Sequence, residues 1–354
     1  MINRRAFLAA TGSAAAGALV MNPAMRAIAQ SRGKQVMVGG NEVVVVDIHA
    51  HCLFQEVRPI IEGTPLENAP LQDMLVLGQH RIDALDERGI DIAALSVNRF
   101  WWYDATEEQA EGIVKINDEG LAEWCATHAD RFVPLSSPAL QFPEMAAEQL
   151  EYAVTELGHR GASILGHARG EAPSTEKYDP FWAKAEELGV PVFMHPDGSR
   201  NIIQPGSLDG TGGLGNVIGN PLETTLFLSR MIFDGAFDRF PNLKVVAAHG
   251  GGYLPSYLGR SEVACARNNA NCVNTKNPSE YLRTQILVDT MVFNEEGLRH
   301  LVEVAGAGQV VYGSDMPFEW PDTIDLVVDS PSLSDEEKVA ILGGNLIELL
   351  GLEV

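Results

Sequence analysis

Val43-Val44-Val45-Val46-Asp47-Ile48-His49-Ala50-His51 is the stretch on which the reading of this chain turns. Four successive valines signal a strand, and a run that is apolar on both faces suits a sheet covered by helices. Two histidines follow at i and i+2. On extended backbone such side chains point the same way, about 6.6 Å apart along the strand, so both imidazoles can turn toward one ion. Alone, a His-x-His pair is a weak signal. Its weight comes from three other apolar runs with similar endings: Val192-Phe193-Met194 runs into His195, Val245-Val246-Ala247-Ala248 into His249, and Val310-Val311-Tyr312-Gly313-Ser314 into Asp315.

Outward from that motif, short β-branched runs alternate with longer helical patterns, the signature of parallel strands joined by crossover helices. Strands are expected over 43–47, 92–97, 132–136, 162–165, 190–194, 243–248, 285–289 and 310–313, the seventh resting on the thinnest signal. Helical stripes fall over 107–128, 144–157, 178–188 and 295–305. Eight such units predict one (β/α)8 barrel over 43–351, with no linker that would divide it. In that fold all strand C-termini surround one mouth, so residues distant in sequence meet there. The expected ligands are His49, His51, His195 and Asp315 around one divalent ion, with one position open for water. His249 and Asp315 are the candidates for proton chemistry. Imidazole and carboxylate donors suit Zn²⁺ first, with Mn²⁺ and Fe²⁺ accepting the same types. The other five histidines, His80, His128, His159, His167 and His300, read as ordinary core or surface residues. Long Gly- and Pro-rich connections over 53–79 and 202–220 have the composition of loops at a barrel mouth.

The composition narrows the partners. With 25 Lys+Arg against 48 Asp+Glu the formal net charge is -23, a field that repels nucleic-acid phosphates and anionic membrane surfaces. A small acidic or aromatic substrate remains compatible, because total charge does not fix the potential inside a cleft. Arg4-Arg5, the small and apolar run over 9–20 and the small-x-small Ala27-Ile28-Ala29 give residues 1–29 the form of a twin-arginine signal peptide. The apolar run is shorter than the roughly 17 to 25 residues that span a bilayer, so no stable membrane insertion is expected after processing. The expected location is the periplasm or otherwise outside the cytoplasm, reached through the twin-arginine export machinery. Four cysteines, Cys52, Cys125, Cys265 and Cys272, form no CxxC pair. Whether Cys265 and Cys272 bridge is open at this point.

Taken in order, Asp47-Ile48-His49-Ala50-His51, Met194-His195-Pro196, His249-Gly250-Gly251-Gly252-Tyr253-Leu254-Pro255 and Gly313-Ser314-Asp315-Met316-Pro317 resemble the amidohydrolase-related family that includes aminocarboxymuconate-semialdehyde decarboxylase. The resemblance runs from about Val43 to Gly351. It implies that His49, His51, His195 and Asp315 bind the metal and that His249 moves a proton. It also matches Arg260 to an arginine that reaches the substrate carboxylate of the neighbouring subunit, which implies a homodimer; the competing reading is a helix-surface arginine paired with an acid such as Glu262. The pattern departs over 53–79, where the family has another substrate-binding arginine and this chain offers only Arg58. Arg99-Phe100-Trp101-Trp102-Tyr103 is the substitute candidate, with Arg99 and Trp101 supplying charge and ring surface to an aromatic acid, against the alternative of a structural aromatic cluster.

A divalent ion lowers the pKa of a coordinated water from about 15.7 toward neutrality and polarises a substrate oxygen. A histidine with an ordinary pKa near 6.5 can then take or return a proton. Ligand spacing is common to several reactions. The resemblance implies nonoxidative decarboxylation of a small unsaturated or aromatic carboxylic acid; hydrolysis of an ester, lactone or amide by activated water is the alternative.

Overall fold

The computed structural model describes residues 33–98, 101–197, 202–267 and 270–354, with Trp101 in its backbone only. The signal-like residues 1–29 and the candidate Arg99 lie outside them, as does the side chain of Trp101. Eight parallel strands form the expected barrel: β1 (Val46–Cys52), β2 (Ile92–Val97), β3 (Phe132–Pro134), β4 (Ala162–Ile164), β5 (Val192–Met194), β6 (Val245–Ala247), β7 (Ile286–Asp289) and β8 (Val310–Val311). Continuous pairing runs β1-β2-β3 and β4-β5-β6-β7-β8. Two seams close the ring. Ser136 N–H donates to Gly161 O at 2.9 Å and Ser163 N–H to Ser136 O at 2.8 Å, joining β3 to β4. Ile48 N–H to Tyr312 O at 3.2 Å and His51 N–H to Met316 O at 2.7 Å join β8 to β1.

Between strands lie the helices, principally α1 (Gln79–Arg88), α2 (Glu107–Thr127), α3 (Pro143–Thr155), α4 (Asp179–Leu188), α5 (Asn220–Phe233), α6 (Leu258–Cys265) and α7 (Glu295–Ala305). Several of them start or stop for a local reason. Thr106 accepts from Gln109 N–H while Gln109 returns the bond to Thr106, capping α2; Gly89 and Gly189, both left-handed, end α1 and α4. Among the described residues no helix is long and apolar enough to cross a membrane.

Strand period divides the core in two. Outward residues such as Val97, Met194, Val245 and Val288 pack under the helices, while Val46, Ile48, Ile92, Ala94, Phe193, Val246, Leu287 and Val311 fill the barrel interior. Leu346 and Leu350 of the terminal helix α8 (Asn345–Leu350) join that inner cluster.

The sequence placed the first strand at 43–47, whereas the ordered strand is Val46–Cys52. The His-x-His pair is therefore within β1 rather than beyond it. A register irregularity between Asp47 and Ala50 explains how Ile48 and His49, successive residues, both face inward. Of the remaining strands, β2 has its expected bounds and the other six fall where expected but are shorter by one to three residues in all.

The chain between Ala340 and Gly344 packs on the start of β1 so closely that a Cβ on Gly343 would stand 2.1 Å from Val44 O. Backbone cannot yield as a side-chain end can. Gly343→Ala is expected to lower the melting temperature by roughly 2 to 10 °C, the range for overpacking by about 1 to 3 kcal/mol in a chain of this size, as read by calorimetry.

Candidate metal centre

Asp315 stands at the middle of the barrel mouth with four imidazoles around it. Its Oδ1 lies 3.1 Å from His51 Nε2, 3.2 Å from His49 Nε2 and 3.9 Å from His195 Nε2, and its Oδ2 is 3.6 Å from His249 Nε2. One ligand atom each from His49, His195, His249 and Asp315 falls within a single sphere of contact, all within 4.8 Å of one another. His51 Nε2 and His49 Nε2 approach Asp315 Oδ1, whereas His249 Nε2 faces the other oxygen, Oδ2. The described residues thus hold one divalent metal-binding site built from histidines and an aspartate.

Second partners orient the rings. His49 Nδ1 donates to Asp289 Oδ2 at 2.7 Å, which leaves the Nε2 lone pair for an ion. Ser96 Oγ donates to Ala50 O at 3.3 Å and can accept from His51 Nδ1 at 2.9 Å, so His51 also presents Nε2. Buried nitrogens normally have partners, yet His49 Nε2 and His195 Nε2 make no hydrogen bond. A cation on these nitrogens and Asp315 satisfies them together, so the residues present fit a metal.

Asp289 escaped the sequence reading. Its Oδ2 accepts from His49 and from His249 N–H at 3.0 Å, and its Oδ1 from Gly250 N–H at 2.7 Å and Met291 N–H at 3.2 Å. The signal was present: it ends the seventh strand as His195 and His249 follow the fifth and sixth. His249 adopts a left-handed φ of 57°, a costly conformation for a residue with a Cβ, and the Asp289 bonds hold it. Gly250 follows at φ 62°. Two further carboxylates brace the turns: Asp47 accepts from His49 N–H at 2.8 Å and Ser314 N–H at 3.1 Å, and Glu223 from Gly166 N–H at 3.1 Å and Asp197 N–H at 3.0 Å.

Burial opposes charge on His49, but the Asp315 and Asp289 carboxylates outweigh it and push this imidazole up to about 10. Burial, reinforced by the charge on His49, drives His51 down to about 4 and His195 well below its usual range. Asp315 and Asp289 are held below the ordinary carboxylate range, His49 overcoming their burial. Asp47 is raised by burial.

A cavity of about 300 Å³ opens on this centre, lined by His195 and Asp315 together with Asn98, Asp197, Asn220 and Phe318. A larger groove of about 720 Å³ lies outside the barrel beside Phe54 and Trp124 and contains none of the ligand residues. Arg260, on α6, and Arg58 are exposed and do not line the cavity. Of the other histidines, His128, His159 and His300 bond backbone carbonyls and His167 accepts from Gly170 N–H, as ordinary structural residues do. Cys265 and Cys272 form a disulfide, which closes the question left open by the sequence; Cys52 and Cys125 are buried thiols.

The amidohydrolase family model matches residues 46–352, from the first residue of β1 to just beyond α8. The chain belongs to that family. It is 33% identical over 281 residues to 2-amino-3-carboxymuconate-6-semialdehyde decarboxylase of Dictyostelium discoideum, covering 77% of this chain and 76% of that one. To gamma-resorcylate decarboxylase of Rhodococcus jostii it is 30% identical over 292 residues, covering 77% and 87%. Among solved structures, dihydroxybenzoic acid decarboxylase of Polaromonas, crystallised with manganese and the inhibitor 2-nitroresorcinol, superposes with a TM-score of 0.75 at 26% identity, over 87% of this chain and 97% of the other. This amidohydrolase is related to the aromatic-acid decarboxylases and shares their barrel and a metal centre.

Because His49 holds its proton up to about 10 in the metal-free protein, an ion taking Nε2 must expel it. Metal affinity is expected to rise about tenfold per pH unit between pH 7 and 9, with about one proton released per ion. Calorimetric titration in two buffers of different ionisation enthalpy measures this; buffer-independent heats would contradict it. In the metal-free state the His49 contribution to stability is complete below about 6.5 and is lost as pH rises through about 10.

Proposed function

We propose that this amidohydrolase removes carboxylate as carbon dioxide from a small aromatic or unsaturated acid, without an oxidant. The observation that carries the reading is the His/His/His/Asp centre at the foot of a cavity, in a chain whose similar relatives are decarboxylases of such acids. The ion would be held by His49, His51, His195 and Asp315, with His249 beside them; when bound it polarises the oxygen of the acid and steadies negative charge.

The remaining work falls to side chains. As the carbon–carboxylate bond breaks, its electron pair stays on the substrate carbon and a proton must arrive there. Asp315 and His249, 3.6 Å apart, are the pair that stores and delivers it. Asp289 fixes the His249 turn through the backbone, so the ring meets the substrate from a set direction. Phe318, with its ring 5.9 Å from His51, offers a face against which a planar acid can lie. Arg99 and Trp101 are retained as substrate-binding candidates by their position just beyond β2.

Three finer assignments belong to the same proposal. Zn²⁺ is preferred for the histidine-rich set, with Mn²⁺ its competitor because the Polaromonas relative carries manganese. Arg260 acts in the cavity of a second copy, a reading supported by its exposure away from its own cavity and by exposed Tyr257 and Val263 on the same stretch; the assembly is a homodimer. The protein is exported to the periplasm, a compartment that suits the Cys265–Cys272 bridge.

His249→Asn is expected to lower kcat for carbon dioxide release by about 10² to 10⁴-fold with metal content unchanged, whereas His49→Ala loses the metal itself; elemental analysis beside a carbon dioxide assay separates the two, and equal activity in both variants would contradict the assignment. Turnover that incorporates labelled solvent oxygen without carbon dioxide would indicate hydrolysis instead. Exchanging Arg4 and Arg5 for lysine is expected to retain the protein in the cytoplasm, and undiminished periplasmic delivery on fractionation would refute the export proposal.

A further inference from the structure

β2 presents one face to the barrel interior. Ile92 and Ala94 on that face belong to the inner core, and Ser96, the next residue on it, holds His51 at 2.9 Å. Asn98 is the following residue on the same face, one pleat or about 6.6 Å further toward the mouth. Its backbone N–H donates to Cys52 O at 3.0 Å, which fixes it beside the end of β1. The residue is only 4% exposed and lines the cavity that also holds Asp315 and His195. A carboxamide brings two hydrogen-bond donors and an acceptor to the edge of that cavity.

We infer that Asn98 is a specificity-determining residue that recognises a neutral oxygen substituent, a ring hydroxyl or carbonyl, on an acid whose reacting end lies at the metal centre. The inference rests on the acid-decarboxylase reading for the identity of the ligand, and on the geometry of β2 for the residue. The spacing supports it: one pleat separates the layer of Ser96 and His51 from Asn98, and a single six-membered ring with its substituents spans a similar length. The chemistry agrees, since a carboxamide can donate to or accept from a hydroxyl.

The test uses full-length enzyme loaded with Mn²⁺ and four probes: benzoate and its 2-, 3- and 4-hydroxy derivatives, with dissociation constants measured by calorimetry for the native protein, Asn98→Ala and Asn98→Leu. Native protein is expected to bind at least one hydroxybenzoate tenfold or more tightly than benzoate. Both variants should reduce that preference below threefold while keeping metal content, melting temperature and benzoate affinity. Absence of a hydroxyl preference in the native protein, or its survival in both variants, would overturn the inference, as would an equal loss of affinity for all four probes. An Asn98-dependent preference in a protein that releases no carbon dioxide from any acid would uphold this recognition role while removing the decarboxylase reading.

Discussion

The Asp289 carboxylate is the constraint from which the site is built. Fully buried at the end of β7, it accepts four hydrogen bonds, from the His49 ring and from the backbone of His249, Gly250 and Met291. Burying a carboxylate without such partners would be prohibitive. With them it joins β1, the turn after β6 and the turn after β7 at one point. It thereby selects the ring nitrogen that His49 offers to an ion and stabilises the left-handed backbone that aims His249. Neither property resides in the histidines themselves.

Charge balance follows from that arrangement. Asp289 and Asp315 both remain ionised in a dry setting because a positive charge lies between them, and in the metal-free protein that charge is the proton on His49. A divalent ion that displaces this proton makes the centre more positive by one unit. That difference matters in a chain with a formal charge of -23, whose long-range field opposes an anionic acid. That local gain would offer an anionic acid a favourable site inside an otherwise unfavourable potential.

Much of this was legible in the sequence because strand ends in a parallel barrel have a fixed destination. His49, His51, His195, His249 and Asp315 needed only the alternating pattern and the rule that strand C-termini share a mouth. The displaced boundary of β1 shows where the pattern fails: Asp47, His49 and His51 are polar, so a hydrophobic run ends at Val46, whereas the backbone pairing continues to Cys52 because buried side chains with internal partners behave as core. Asp289 was missed for a related reason. A lone aspartate after Ile286-Leu287-Val288 reads as the polar stop of a short strand; its place at a strand end was visible, but its partner His49 lies 240 residues away.

The inner face of β2 shows how one periodicity serves three purposes in succession. Ile92 and Ala94 are shielded by the interior of the barrel, Ser96 meets a ligand ring, and Asn98 meets the cavity. Moving along the strand therefore changes what surrounds each side chain from hydrocarbon, to the metal layer, to the open cavity, while the backbone geometry stays constant. Packing at the lower levels determines where the upper ones stand, because a strand cannot rotate one residue without moving the next on the same face. A core substitution at Ala94 would thus be felt at Ser96, which orients His51, and at Asn98 on the cavity wall.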